Sequence, residues 1–404
     1  MALPIREIPK RLRKLCRAYR QAFTKPQYNH FVRLVAGLIL SDKKNIQEIN
    51  DCFGQCDQSS LNRFVTVSEW DAGLINKIRL REIRKRCNLG RGVLVIDPTL
   101  LHKTGKKMEK ANYHYSGITK EKEWGHCLVD SFFSDWKGNA FPVDADFYVR
   151  KEDADEKVPF REVRPICLDL LDDALKHKLP IETVMIDGGL YADFVLQEIK
   201  LRRLNYVAGV RLTNKYSING EKRVSVAEYL QTLTDDDFKR FVIEDGVYHL
   251  HSVIVSTRGI GKERLLVSYK DGDEETIKVY TTNLLSSNDL YLMRLLLKRW
   301  EIECWHRDAK QHLGLEDYQV RKFGGVQKVV PAVLVAYTQI ILSCTHAILK
   351  PLQRPLRTIG EGCRFFRLIA LKGWKWLKEQ AEEVNTLKQV MNQYVFVKDD
   401  KVTL

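Results

Sequence analysis

Gly92-Val93-Leu94-Val95-Ile96-Asp97 reads as a buried β-strand that ends on a carboxylate. Ile181-Glu182-Thr183-Val184-Met185-Ile186-Asp187 repeats the form and runs into Gly188-Gly189. Around these runs the pattern alternates. Residues 125–148 give two strands about the turn Asp135-Trp136-Lys137-Gly138-Asn139. Residues 160–178 and 191–204 read as helices, and 206–210 as another strand. Alternation of this kind defines an α/β sheet with helices packed on it. The binding crevice of such a sheet lies at strand ends. Two aspartates brought there repel each other unless a cation sits between them. Mg2+ takes few carboxylates and keeps positions open for phosphate oxygens.

A third acid lies on a long helix expected from Asp289 onward. In the stretch Arg299-Trp300-Glu301-Ile302-Glu303-Cys304-Trp305-His306-Arg307-Asp308-Ala309-Lys310, residues at i, i+4, i+7 and i+11 share one face. Arg299, Glu303, His306 and Lys310 then fall within a stripe of roughly 60°. One carboxylate flanked by three cationic or ionisable groups suits a metal ligand whose neighbours hold phosphates. Glu301 and Asp308 fall on the opposite side and are expected to face solvent. Trp300 either packs in a core or stacks on a base. Asp97, Asp187 and Glu303 together read as a metal-dependent nuclease site. A structural salt-bridge ladder of Arg299, Glu303 and Lys310 is the competing reading. Thr104-Gly105-Lys106-Lys107 is no phosphate loop, because the Gly-x-x-x-x-Gly-Lys-Ser/Thr pattern is absent.

Upstream of the first strand the chain reads as helical. Residues 1–91 contain 19 Lys/Arg against 8 Asp/Glu, and this block supplies most of the net charge of +14. A basic block on a near-neutral body points to a polyanion partner. Residues 28–40 form an apolar helix, Ser41 or Asp42 caps the next, and Asp57-Gln58-Ser59-Ser60-Leu61-Asn62-Arg63-Phe64 gives a short capped third. Gln58, Ser59, Asn62 and Arg63 then resemble the outward residues of a helix-turn-helix recognition helix, with Leu61 and Phe64 as its anchors. A helical bundle without DNA contact is the alternative. A basic helix follows from Asp71 through Arg86.

The nine cysteines include no Cys-x-x-Cys pair, which argues against a disulfide scaffold or zinc ribbon. No apolar signal segment opens the chain, so a reducing cytoplasm is the expected compartment. The apolar run 329–349 contains Pro331, Gln339 and His346 and is expected to be a core helix rather than a membrane span.

Arg299, Glu303 and Lys310 match the Arg-x3-Glu-x6-Lys part of a Tyr-Arg-Glu-Lys signature, and the chain here resembles bacterial insertion-sequence DDE transposases. The stretch from His312 through Arg321, the Asp-Pro-Thr at Asp97 and the Ile-Asp-Gly-Gly at Asp187 resemble them too. The resemblance spans about residues 92–321. It implies an RNase H-like α/β catalytic domain with a β-rich insertion, preceded and followed by helical regions. The expected division is a basic DNA-binding region at 1–91, a first catalytic part at 92–210, an insertion at 211–285, a glutamate-bearing helix at 286–321 and a helical region at 322–404, with helices to about residue 395.

The resemblance also implies two Mg2+ ions (Mn2+ as substitute) on Asp97, Asp187 and Glu303, with Arg299 and Lys310 contacting DNA near the cut. The implied reaction is cleavage at terminal inverted repeats followed by strand transfer into target DNA. A homodimer or larger oligomer on paired ends, without a membrane partner and associated with a prokaryotic nucleoid, is expected. The alternatives are an RNase H-like nuclease without strand transfer and a domesticated DNA-binding protein. The signature's tyrosine position holds Leu296.

Overall fold

A computed structural model of the chain describes residues 7–53, 58–117, 119–218, 220, 222–244, 246–257, 259–344 and 356–371. The helices in chain order are α1 (Lys10–Cys16), α2 (Lys25–Leu40), α3 (Ile46–Phe53), α4 (Gln58–Thr66), α5 (Ala72–Arg86), α6 (Val163–Lys176), α7 (Asp193–Leu201), α8 (Val226–Leu230), α9 (Asp289–Leu297), α10 (Trp300–Leu313), α11 (Phe323–Cys344) and α12 (Ile359–Ala370). The strands are β1 (Gly92–His102), β2 (Asn112–Tyr115), β3 (Lys122–Asp135), β4 (Ala140–Tyr148), β5 (Ile181–Ile186), β6 (Asn205–Gly209), β7 (Lys215–Ile218), β8 (Val224–Ser225), β9 (Lys239–Ile243), β10 (Gly246–Thr257), β11 (Gly261–Lys270) and β12 (Asp273–Thr282). They form two compact units. One comprises Leu89–Thr99 and Cys127–Cys304, the other Met1–Asn88, Leu100–His126 and Trp305–Leu404.

The first of these, the sheet unit, is built on the strand order β4-β3-β1-β5-β6. β1, β5 and β6 run parallel, and β3 pairs antiparallel with β4. Val93, Leu94, Val95 and Ile96 are buried, as are Val184, Met185 and Ile186, which is why both runs are continuously apolar. The turn between β3 and β4 is fixed by Asp135. Its carboxylate accepts from the backbone of Gly90, Lys137 and Asn139 at 2.7, 2.8 and 2.8 Å, and Gly138 takes φ +86°.

The expected β-rich insertion is there, and it extends this sheet. β12 pairs antiparallel with β6, and β11, β10 and β7 follow outward. The β10–β11 and β11–β12 hairpins turn at Gly261 (φ +91°) and Gly272 (φ +79°).

The single long helix expected after Asp289 divides in two. α9 ends at Leu297, and Arg299 precedes α10 rather than lying within it. Lys298 explains part of the break. Its ammonium donates to Ser134 Oγ (2.8 Å), Asp135 O (3.0 Å) and Glu301 Oε1 (2.9 Å). Glu301, expected in solvent, is thereby half-buried.

In the helical unit, Thr24 and Gln27 form a capping box at the start of α2, and Asp71 caps α5 through Leu74 N–H at 2.9 Å. α11 packs on α2, α5 and α12. Fully buried Arg79 of α5 donates to Asn76 Oδ1 and to Thr338 Oγ1 of α11 (3.1 Å). The N-terminal helices and the described part of the C-terminal region thus form one unit, where two separate regions were expected. Most of the apolar window of α11 (78 %) is buried, so this helix, long and apolar enough to cross a membrane, serves as a core helix here. Helices expected beyond residue 371 lie outside the described residues.

Candidate active site

The sheet aligns one row of residues across four strands. Ile96 pairs with Ile186, Ile186 with Ala208, and Ala208 with Thr281. Asp97 and Asp187 lie one residue beyond the Ile96–Ile186 pair, and Gly209, one beyond Ala208, pairs with Tyr280. Side chains alternate along a strand, so Asp97, Asp187 and Tyr280 rise from the face opposite the buried Ile96 and Ile186. Neighbouring strands lie about 4.8 Å apart, so the two aspartates follow neighbouring backbone positions, Asp97 within β1 and Asp187 just past β5.

The turn after β5 holds Asp187 in place. Gly189 N–H donates to Asp187 Oδ2 at 3.0 Å. Gly209 supports this turn by having no side chain. A Cβ there would stand 2.7 Å from the Gly188 nitrogen.

Glu303 enters from α10. Arg299 forms an ion pair with its Oε1 and donates a hydrogen bond to the Tyr280 hydroxyl. Burial works against the Arg299 charge, yet Tyr280, Glu303 and Asp97 outweigh it and raise the guanidinium pKa. Burial likewise raises the Tyr280 phenol, which also feels Glu303 and Asp187. All three predicted acids therefore sit in the field of one Arg299–Tyr280 pair. Desolvation pushes the Cys127 thiol up to about 12, with Asp97 adding to the effect. Lys278, exposed and two residues before Tyr280, lies within the field of Arg299 and Glu303.

The donor set is all carboxylate oxygen, which suits a hard divalent cation. Asp97 and Asp187 offer two donors from neighbouring positions, while Glu303 is held by Arg299. Among the described residues, no three His, Cys, Asp or Glu side chains stand close enough together to hold an ion.

The other predicted site residues are placed as follows. Trp300 is 49 % exposed at the start of α10. Leu296, at the signature's tyrosine position, is buried in α9. His306 is buried in the helical unit, a poor position for reaching phosphates. Asp308, expected in solvent, is half-buried there beside Arg307. Lys310, in the same unit, donates to Leu100 O at 2.8 Å and pairs with Glu316 at 2.9 Å. On α4, Leu61 and Phe64 are buried and Ser59, Asn62 and Arg63 are exposed; the Gln58 side chain lies outside what is described.

Tyr280, Lys278, Gly209 and Cys127 are site residues that sequence reasoning did not find. The alternation in β12 marks Tyr280 as a strand residue, but only the β6–β12 register carries it to the acids.

The sheet order and acid pair define an RNase H-like α/β endonuclease domain with helical flanks. The chain belongs to the DDE superfamily endonuclease family, whose model matches residues 18–229, just over half of its length. The match takes in Asp97 and Asp187 and ends before Glu303. No curated protein matches the chain. Membership implies a DNA substrate and a divalent metal requirement of unspecified identity.

Proposed function

We propose that this protein is a cut-and-paste DNA transposase of the Tyr-Arg-Glu-Lys signature group, acting on terminal inverted repeats. The observation that carries the reading is the placement of Asp97 and Asp187 just past the last β1–β5 pair, Asp97 lying within β1, which runs on to His102 instead of ending at the aspartate as expected, and Asp187 just after β5. Two carboxylates so placed are electrostatically costly unless a cation serves them both.

In this reading Asp97, Asp187 and Glu303, with Glu303 released from Arg299, would hold two Mg2+ ions, with Mn2+ as substitute. When bound, the ions supply Lewis-acid activation of water and stabilisation of the leaving oxygen. Arg299 pairs with Glu303 and lies in the field of Asp97, and a guanidinium so placed would contact a substrate phosphate. Tyr280 holds Arg299 in reach of the row. Trp300, exposed beside Arg299 in sequence, stacks on a base near the cut, a task that buried Leu296 cannot perform. Lys310 contacts the backbone after leaving Glu316. Gln58, Ser59, Asn62 and Arg63 read the repeat, while phosphate contacts from the basic helices supply affinity.

Bond changes balance without a further reactant. Water oxygen bonds to phosphorus, the phosphorus–O3′ bond breaks, and the strand is left with a 3′-hydroxyl and a 5′-phosphate. That 3′-oxygen then loses its proton to solvent and bonds to a target phosphorus, and the displaced target 3′-oxygen takes a proton from solvent to leave as a 3′-hydroxyl. Paired ends call for at least a dimer, at work on the nucleoid in the cytoplasm.

The test is a strand-transfer assay with Mg2+ on a labelled inverted-repeat end. Joined products support the transposase. Nicked ends without joining would make it a nuclease without transfer, and binding without cutting a domesticated DNA-binding protein.

A further inference from the structure

The hairpin of β2 and the start of β3, in the helical unit, has no part in the acid site. Its register sets Tyr113 opposite Trp124 and Tyr115 opposite Lys122. Because side chains alternate, these four share one face. His114, Glu123 and Asn112 fall on the other. Tyr115 is 68 % exposed and Tyr113 46 %. Tyr113 and Trp124 meet edge to face with centroids 5.3 Å apart. Lys106 caps both rings, its ammonium 4.7 Å from the Tyr113 centroid and 4.5 Å from that of Trp124. Trp124 Nε1 ties the sheet to the neighbouring loop by donating to Gly105 O at 3.1 Å.

That loop is one wall of a cleft of ≈ 880 Å³, lined by five lysines and one arginine against one glutamate and one aspartate. Lys106 belongs to both features, so the aromatic face and the cationic cleft adjoin. The segment 100–126 contributes six lysines and three glutamates overall. Two of the cleft lysines are already committed. Lys44 donates to Ser41 O, and Lys103 lies 3.3 Å from the centroid of the Tyr318 ring. Lys43, which pairs with Glu48 at 3.6 Å, and Lys106, which donates to the Tyr113 hydroxyl at 3.0 Å, are both exposed and can turn, with Lys107 and Arg321, to an outside anion.

We propose that this face and cleft bind an unpaired DNA strand, its bases on Tyr115 and Tyr113 and its phosphates along Lys122, Lys106 and the cleft. Exposed rings interleaved with cations match a single strand, which offers flat base faces and a phosphate every nucleotide. A duplex hides its base faces in the stack and so gains only the phosphate contacts. The proposal rests on DNA being the substrate, but it does not depend on cutting.

The experiment measures fluorescence anisotropy of a labelled oligothymidylate of about 15 nucleotides with the full chain, without divalent cation, beside a duplex of the same length. Tyr115→Ala is expected to weaken oligothymidylate binding by about 5- to 100-fold and to leave duplex binding unchanged. Tyr115→Phe retains the ring and the affinity. Lys122→Ala lowers the slope of log affinity against log salt by about 0.7. Equal loss for both DNAs, or no loss in Tyr115→Ala, overturns the proposal. Asp97→Asn separates the two readings. A protein that no longer cuts yet binds the oligothymidylate normally leaves this surface standing, and one that cuts without preferring the unpaired strand removes it alone.

Discussion

Asp97 and Asp187 occupy neighbouring positions on adjacent parallel strands, one residue past the Ile96–Ile186 pair. Two ionised carboxylates placed so repel each other, a cost that Arg299 offsets in part at Asp97. Asp97→Asn and Asp187→Asn should each reduce Mg2+-dependent cleavage by about a thousandfold, the worth of several kcal/mol of transition-state stabilisation. In metal-free buffer Asp187→Asn should melt no lower than the parent, since one like-charge contact is relieved, whereas Asp97→Asn also gives up its attraction to Arg299. Cleavage gels and thermal melts read the two effects separately. A variant that cuts at the parental rate removes its residue from the site.

In the proposed function Arg299, which pairs with Glu303, would compete with a cation for that carboxylate. The ion pair is mostly buried, its side chains 19 % and 29 % exposed, so the cost of desolvation offsets much of its attraction and its own contribution to stability is small. Its charge matters more to what else binds there. Arg299→Gln should tighten Mn2+ binding by about tenfold, because one unit of positive charge is withdrawn from Glu303 and Asp97. The same change should slow cleavage by removing a phosphate contact. Calorimetric Mn2+ titration gives the first quantity, and weaker metal binding in the variant would contradict the competition.

Much of the sheet was legible because its causes are local. The apolar runs before Asp97 and Asp187 are buried strands, and the turn residues at 135–139 and 271–272 sit where the chain reverses. The neighbouring placement of Asp97 and Asp187 was legible because each follows such a run, although β1 runs on past Asp97 to His102. The break at Lys298 was not, because it depends on Ser134 and Asp135, which are more than 160 residues away in sequence. Tyr280 was missed for a similar reason, since its place in the row comes from strand register. His306 shared a face with Glu303 on paper, but helical spacing alone does not say which side of a helix the core covers.

Gly209 bears on Asp187 through the backbone. A methyl group at this position would approach the Gly188 nitrogen to 2.7 Å, against main chain that has no side-chain freedom to yield. Gly209→Ala should cost about 1–3 kcal/mol in urea unfolding and should reduce cleavage beyond what the stability loss explains, as the Asp187 turn is displaced. Full activity in a folded Gly209→Ala protein would show that the turn tolerates the shift.

On α4, Arg63 and Asn62 are exposed above the buried Leu61 and Phe64. If this helix reads the repeat, Asn62→Ala should cost about 1–3 kcal/mol at one base position and relax preference there. Band-shift titrations over a set of repeats with single base changes provide the measurement. A loss that is uniform across all sequences would reduce Asn62 to a backbone contact.

Glu263 on β11 gives a pH signature that is independent of the acid site. It is fully buried and accepts hydrogen bonds from Tyr206 (2.7 Å), Thr281 (2.9 Å) and Thr257 (3.4 Å). Burial raises its pKa above the ordinary 4.5, against the pull of these hydroxyls, and Asp193 adds to the rise. The folded state therefore holds the proton more tightly than the unfolded chain. The stability this proton supplies is complete below about pH 4.5 and is lost as pH climbs through the folded value. Glu263→Gln cannot ionise and escapes that loss. Its melting temperature relative to the parent should rise between pH 4.5 and neutrality and level off once the parental carboxyl is ionised. A difference that stays constant over that interval would mean that Glu263 titrates alike in the folded and unfolded chains.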